Sequence, residues 1–208
     1  MHDRRMHVVC LSCFNTNDPA IQKVQQWLKA WEKSSNGHHT SKFVQVGSGQ
    51  ELLEELSNQN DVDVLILAAH GHEDGNFQMA DKGALAASDV VEALKRGGLP
   101  GNAVLFLFAC NGAKSDKLRS LFPANGRGPQ LVLGATRLAL SDPMRDAIKS
   151  VVTARERGPM TVTDAKTIVD EEEAGLVVSV SPLKVSPSKT RFLCVLWGPE
   201  PNNRYPPG

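Results

Sequence analysis

Two stretches of this chain are almost uninterruptedly apolar over the length of a β-strand: Val62 to Ala69, VDVLILAA, and Ala103 to Ala109, AVLFLFA. A strand without polar alternation must be covered on both faces, which places it inside a parallel sheet flanked by helices rather than at a solvated surface. Around these two runs the sequence alternates shorter apolar segments with stretches of helical period. The pattern predicts an α/β fold, a three-layer sandwich around a mainly parallel central sheet of about six strands.

The expected elements follow in order. Met6 to Cys13 is the first strand, and Asp18-Pro19 is an N-cap followed by proline at the first helical position. From Ala20 to Trp31 the residues Ile21, Val24, Trp27, Leu28 and Trp31 mark one face of an amphipathic helix. A strand over Lys42–Val46 and a short helix bearing Leu52, Leu53 and Leu56 come next. After the first central run, Asn76 to Leu85 reads as a small hairpin or an irregular excursion, and Ser88 to Arg96 as a capped helix stopped by Gly97-Gly98. Beyond the second run the sequence predicts a helix over Ala113–Phe122, a loop PANGRGPQ and a strand over Leu131–Ala135. Helices over Asp142–Arg157 and Thr161–Glu173 follow, the latter capped by Thr161 or Thr163. Two late strands, Leu176–Ser181 and Arg191–Trp197, close the chain. Residues 1–198 read as a single domain and 199–208 as a disordered tail.

Bulk properties remove several function classes. Twenty-three Lys and Arg balance 23 Asp and Glu, so the charge gives no support for a nucleic-acid partner or an acidic membrane surface. No apolar run approaches the ~20 residues needed to cross a bilayer. The N-terminus lacks the pattern of a secretory signal. The four cysteines, Cys10, Cys13, Cys110 and Cys194, are sparse and embedded in apolar runs. A disulfide framework is therefore not expected, and the default setting is a reducing cytoplasm.

The chemistry concentrates where the two central runs end. VLILAA is followed by His70-Gly71, and VLFLFA by Cys110-Asn111-Gly112. In open α/β sheets functional groups gather outside the carboxyl ends of the parallel strands. If the two strands are neighbours, an imidazole and a thiol emerge at one edge. A thiol has a reference pKa of about 8.5, so a nearby imidazole raises its nucleophilic fraction and later protonates the leaving amine. Gly71 lets the backbone turn sharply. Its N–H together with that of Cys110 forms a two-donor oxyanion hole, in which each donor is commonly worth roughly 3 kcal/mol. Taken singly, Cys110 reads as a buried packing residue and His70 as a loop residue; their joint placement, each with its glycine, favours a catalytic pair. His72, two residues on, is the rival for the base.

An apolar strand closing on His70-Gly71, then another closing on Ala109-Cys110-Asn111-Gly112, resembles the caspase-like (clan CD) cysteine peptidases, closest in pattern to the bacterial CHAT-type domains. The segment from Leu133 to Ala165, LGATRLALSDPMRDAIKSVVTARERGPMTVTDA, resembles the part of CHAT-type domains after the nucleophile, and LCVLWGP resembles their terminal strand. The resemblance implies a cysteine endopeptidase acting on protein or peptide substrates, with His70 as general base, Cys110 as nucleophile and no cofactor. It also implies an effector activated by a protein partner. One departure concerns specificity. Caspases place Gln, and metacaspases Asp, two residues before the nucleophile, where this chain has Phe108. Asp142, where CHAT-like domains carry an acid, and Asp18, in the loop after the first strand, are the candidate substrate-binding residues for a basic P1 side chain. The alternative is a catalytically silent caspase-like module that serves as a scaffold.

Other features read as structural. Cys10-Leu-Ser-Cys13 has redox spacing but lies in a strand, where the two side chains face opposite ways. His70 and His72 with Glu73, Asp74 or Cys110 lack any diagnostic metal-ligand spacing, so no metal is expected. His38-His39 reads as a solvated loop, Asp170 to Glu173 as a solvated helix end, and the three tryptophans as packing residues. A flavodoxin-like or receiver-type fold would need a phosphate cradle or paired acids after the first strand, and FNTNDP offers neither.

Overall fold

The computed structural model describes residues 5–110, 112, 131–135, 141–171 and 176–180. A six-stranded sheet, ordered β2-β1-β3-β7-β8-β9, organises the molecule. Its strands are β1 (Met6–Ser12), β2 (His39–Gln45), β3 (Val64–Ala68), β7 (Val104–Phe108), β8 (Leu131–Ala135) and β9 (Leu176–Val180). The first five run parallel, and β9 pairs antiparallel with β8 at the edge. The two apolar runs are the central neighbours β3 and β7, and every residue of both is buried.

Helices cover both faces, as all-apolar strands require. One face carries Val8, Cys10, Val64, Ile66, Val104, Phe106 and Leu133 against α1 (Pro19–Ser34), α4 (Ser141–Glu156) and α5 (Val162–Glu171). The other carries Val9, Leu11, Leu65, Leu67, Leu105 and Val132 against α2 (Gly49–Leu56) and α3 (Ala87–Gly97). Between β3 and α3 lies a small antiparallel sheet of β4 (His70–Gly71), β5 (Phe77–Gln78) and β6 (Ala84–Leu85). The hairpin expected over Asn76–Leu85 is its second half. Cys10 and Cys13 do fall on opposite faces of the main sheet.

Caps fix the helix starts. Asp18 accepts from the N–H groups of Ala20 at 2.9 Å and Ile21 at 3.4 Å, with Pro19 opening α1. Thr161 caps α5: its hydroxyl accepts from Asp164 N at 3.1 Å while Asp164 Oδ2 accepts from Thr161 N at 2.8 Å. The Thr161 hydroxyl, which donates to Asp164 Oδ2 at 2.6 Å, and then the Thr161 N–H hold the Asp164 carboxyl below its ordinary range. The α3 start departs from expectation. The helix begins at Ala87, and Ser88 does not cap it. Asn76 Oδ1 accepts from Ala87 N at 3.0 Å, so the cap comes from the preceding hairpin.

Two further corrections concern β2 and α4. The strand starts at His39, not at Lys42. His39 is no solvated loop residue: its ring stacks on Trp31 with centroids 5.0 Å apart, and its Nε2 lies 3.6 Å from Glu156 Oε1. On α4, Arg155 is fully buried. It donates to Asp63 Oδ1 at 3.1 Å, Asn102 O at 3.0 Å and Gly158 O at 2.9 Å. Asp63 accepts in turn from His7 N at 3.0 Å. One guanidinium thus ties together the amino ends of β1, β3 and β7. The expectations for Ala113–Phe122, PANGRGPQ, Arg191–Trp197, Cys194 and the 199–208 tail lie outside the described residues.

Candidate functional site at the carboxyl edge of the sheet

The β3–β7 pairing runs in parallel register from Val64↔Val104 to Ala68↔Phe108, and Ala69 N continues it by donating to Phe108 O at 3.1 Å. His70 and Cys110 each stand two residues beyond the last paired positions, so the register brings the two motifs level at one edge. Their backbones meet there. A Cβ on Gly71 would overlap the Cys110 carbonyl oxygen and lie 2.7 Å from its carbonyl carbon and 3.3 Å from its nitrogen. Only glycine allows this approach. Gly112 is less crowded: a Cβ there would make tight contacts, 3.1 Å from Ala109 Cβ and 3.2 Å from Ala109 O.

Cys110 is half-buried and His70 exposed. The His70 ring meets Phe14 edge-on, with centroids 4.5 Å apart and planes at 68°. Phe14 meets Phe108 in the same manner, at 6.0 Å and 65°. His72 belongs to the adjoining turn: its N–H donates to Asn76 O at 2.9 Å, and its carbonyl accepts from Gly75 N at 3.0 Å. Asp74 closes that turn by accepting from Asn76 N at 3.0 Å.

The two acids proposed for substrate binding both follow carboxyl ends of strands, but each has another task. Asp18 is the cap of α1. Asp142, exposed in the first turn of α4, accepts from Arg145 Nη1 at 2.7 Å and lies 3.6 Å from Lys23 Nζ. The remaining cysteines of the sheet are chemically quiet. Burial first, then the charge of Cys13, raises the Cys10 pKa. Burial, with Glu51 adding to it, pushes the Cys13 thiol up to about 12. Among the described residues, no group of three His, Cys, Asp or Glu is arranged to hold a metal. Nor is any helix among them long and apolar enough to cross a membrane.

The sequence did not single out Phe14 or Gln45, the latter the last residue of β2. Gln45 Nε2 donates to Ser12 O at 3.1 Å and to Phe14 O. A lone aromatic residue in the otherwise polar turn FNTN was the available signal for Phe14. For Gln45 the sequence carries none, because its role depends on β2 lying beside β1.

No protein-family model matches the sequence, and no curated protein sequence matches it. Similarity appears in three dimensions. Caspase-1 from Spodoptera frugiperda superposes with a TM-score of 0.54 at 12% identity, covering 86% of this chain and 86% of that one. A structure of pro-sf-caspase-1 is similar at a TM-score of 0.44 and 13% identity, covering 81% and 80%. Five parallel strands flanked by helices, with an antiparallel strand at one edge, give this chain a caspase-like fold.

Proposed function

We propose that the chain is a cysteine endopeptidase in which Cys110 attacks the scissile carbonyl and His70 takes the thiol proton. His70 then returns that proton to the leaving amine, and the resulting thioester is hydrolysed by water that His70 activates. The N–H groups of Gly71 and Cys110 hold the oxyanion. The observation carrying this reading is the contact of the Gly71 and Cys110 backbones at the end of the paired central strands. The resemblance to CHAT-type domains adds an effector role, with activation by a protein partner. The buried thiols of Cys10 and Cys13, neither of them in a disulfide, suit a reducing cytoplasm. A basic P1 preference would require Asp18 or Asp142 to leave its present partners. The alternative, a silent scaffold, draws on Phe108 standing where caspases carry Gln, buried and packed on Phe14.

A peptidyl electrophile tests the reading directly. Incubated with the native chain alone or with cell extract to supply an activator, it should form a thioether with Cys110, located by peptide mass spectrometry. Cys10 and Cys13 should stay unmodified, since burial favours their neutral thiols at pH 7–8. A label spread over the buried cysteines while Cys110 stays free would refute it.

Gly71→Ala should lower turnover about 100-fold. The added methyl must push the Gly71 and Cys110 backbones apart, and about 1 Å of misplacement in a reacting pair costs that much. Single-turnover kinetics on a cleaved peptide measures it; a Gly71→Ala chain within fivefold of the parent would contradict the geometry.

A further inference from the structure

The imidazole at the strand end is exposed, yet its ring rests edge-on against Phe14, which is only 8% exposed. Phe14 in turn touches Phe108, two residues before Cys110. A single ring thus stands against both the His70 imidazole and the strand that delivers the thiol. Phe14 lies beyond the end of β1, in a turn, where a side chain is ordinarily free to move. Here the turn is fastened from two sides. Cys13 N donates to Ala68 O at 2.7 Å, extending β1 along β3. From the other side, the Gln45 amide reaches across from β2 to the carbonyls of Ser12 and Phe14.

We propose that Phe14 is a positioning residue for His70, with Gln45 as the clamp that holds Phe14 and Phe108 as its backing. The proposal rests on reading His70 as the base. An exposed histidine samples several χ1 wells, whereas proton transfer needs the ring held within roughly 10–20° of one of them. An edge-to-face partner biases that choice without consuming either ring nitrogen. Both nitrogens therefore remain available, one for the thiol proton and the other for an orienting acceptor.

The variants separate positioning from packing. Phe14→Leu keeps the apolar volume and removes the ring; Phe14→Tyr keeps the ring. Phe14→Leu should lower kcat about tenfold with KM unchanged, while Phe14→Tyr stays within about twofold. Gln45→Met leaves the Phe14 ring in place, removes the two hydrogen bonds of the clamp and should lower kcat by about threefold, the fallback if Phe14→Leu folds poorly. A second readout needs no activity. In the Cys110→Ala background the His70 ring protons should carry a ring-current shift that Phe14→Leu removes and Phe14→Tyr retains. Unchanged His70 shifts in Phe14→Leu overturn the proposal, as does an equal loss of kcat in the Leu and Tyr variants. A chain that hydrolyses nothing, with Cys110 never labelled, overturns the peptidase reading instead, and the ring shifts still decide whether Phe14 holds the imidazole.

Discussion

Cys110→Ala is expected to reduce peptide hydrolysis by at least about a thousandfold while the chain folds as before. The stability side follows from placement. Cys110 is half-buried and stands past the end of β7, so losing one sulfur atom there should change stability by about 1 kcal/mol or less. The activity side follows from the chemistry, since the other described thiols, Cys10 and Cys13, are buried. His70→Ala should produce a comparable loss, and the double variant should be hardly worse than either alone, because groups acting as one unit are not additive. Hydrolysis assays paired with thermal melts give both halves. A folded Cys110→Ala chain that still cleaves refutes Cys110 as the nucleophile, whereas one that leaves a cellular phenotype unchanged selects the scaffold reading.

The second large effect lies at the opposite end of the sheet. Arg155→Leu should destabilise the fold by about 3–5 kcal/mol, because it takes the guanidinium away from the Asp63 carboxylate and removes its N–H donors from the Asn102 and Gly158 carbonyls. The Asp63 side chain is only 15% exposed, so water replaces the lost partner poorly. For a domain of this size the thermal midpoint should fall by roughly 10 °C. Urea unfolding checks the free energy and calorimetry the midpoint. Below its new midpoint the variant should keep the parent's activity per folded molecule, since the guanidinium joins the amino ends of the strands and the proposed pair sits at their carboxyl ends. A midpoint shift under 2 °C would show that the clamp is dispensable.

The parts of this fold that could be read in the sequence are those where burial is total. β8 appears at its expected bounds, Leu131–Ala135, and β3 and β7 lie within their apolar runs. β2 was read short because it is an edge strand, and its first residues, His39-Thr40-Ser41, are polar and only partly covered. The α3 cap was misassigned because its oxygen belongs to Asn76, 11 residues from Ala87. Arg155 went unnoticed because a charged residue in a helix ordinarily faces water, although its spacing from Ile148, Val151 and Val152 already placed it on the buried face. At the candidate site, the placement of His70, Gly71 and Cys110 at one sheet edge was legible because each ends or follows a run of unmistakable character. Phe14 and Gln45 were not, since their part depends on three strand ends meeting in space.

The mounting of the two motifs on β3 and β7 ties their lifetime to that of the whole molecule. Amide hydrogens in a central, fully buried pair of strands exchange with solvent mainly when the entire domain opens. The Ala69-to-Phe108 hydrogen bond, the last rung before His70 and Cys110, belongs to that slowest class. Fraying of termini or loops leaves the rung intact. Loss of the Gly71–Cys110 backbone contact on warming should therefore coincide with loss of exchange protection across β3 and β7, with no earlier stage in which the chain is folded but its two motifs have drifted apart.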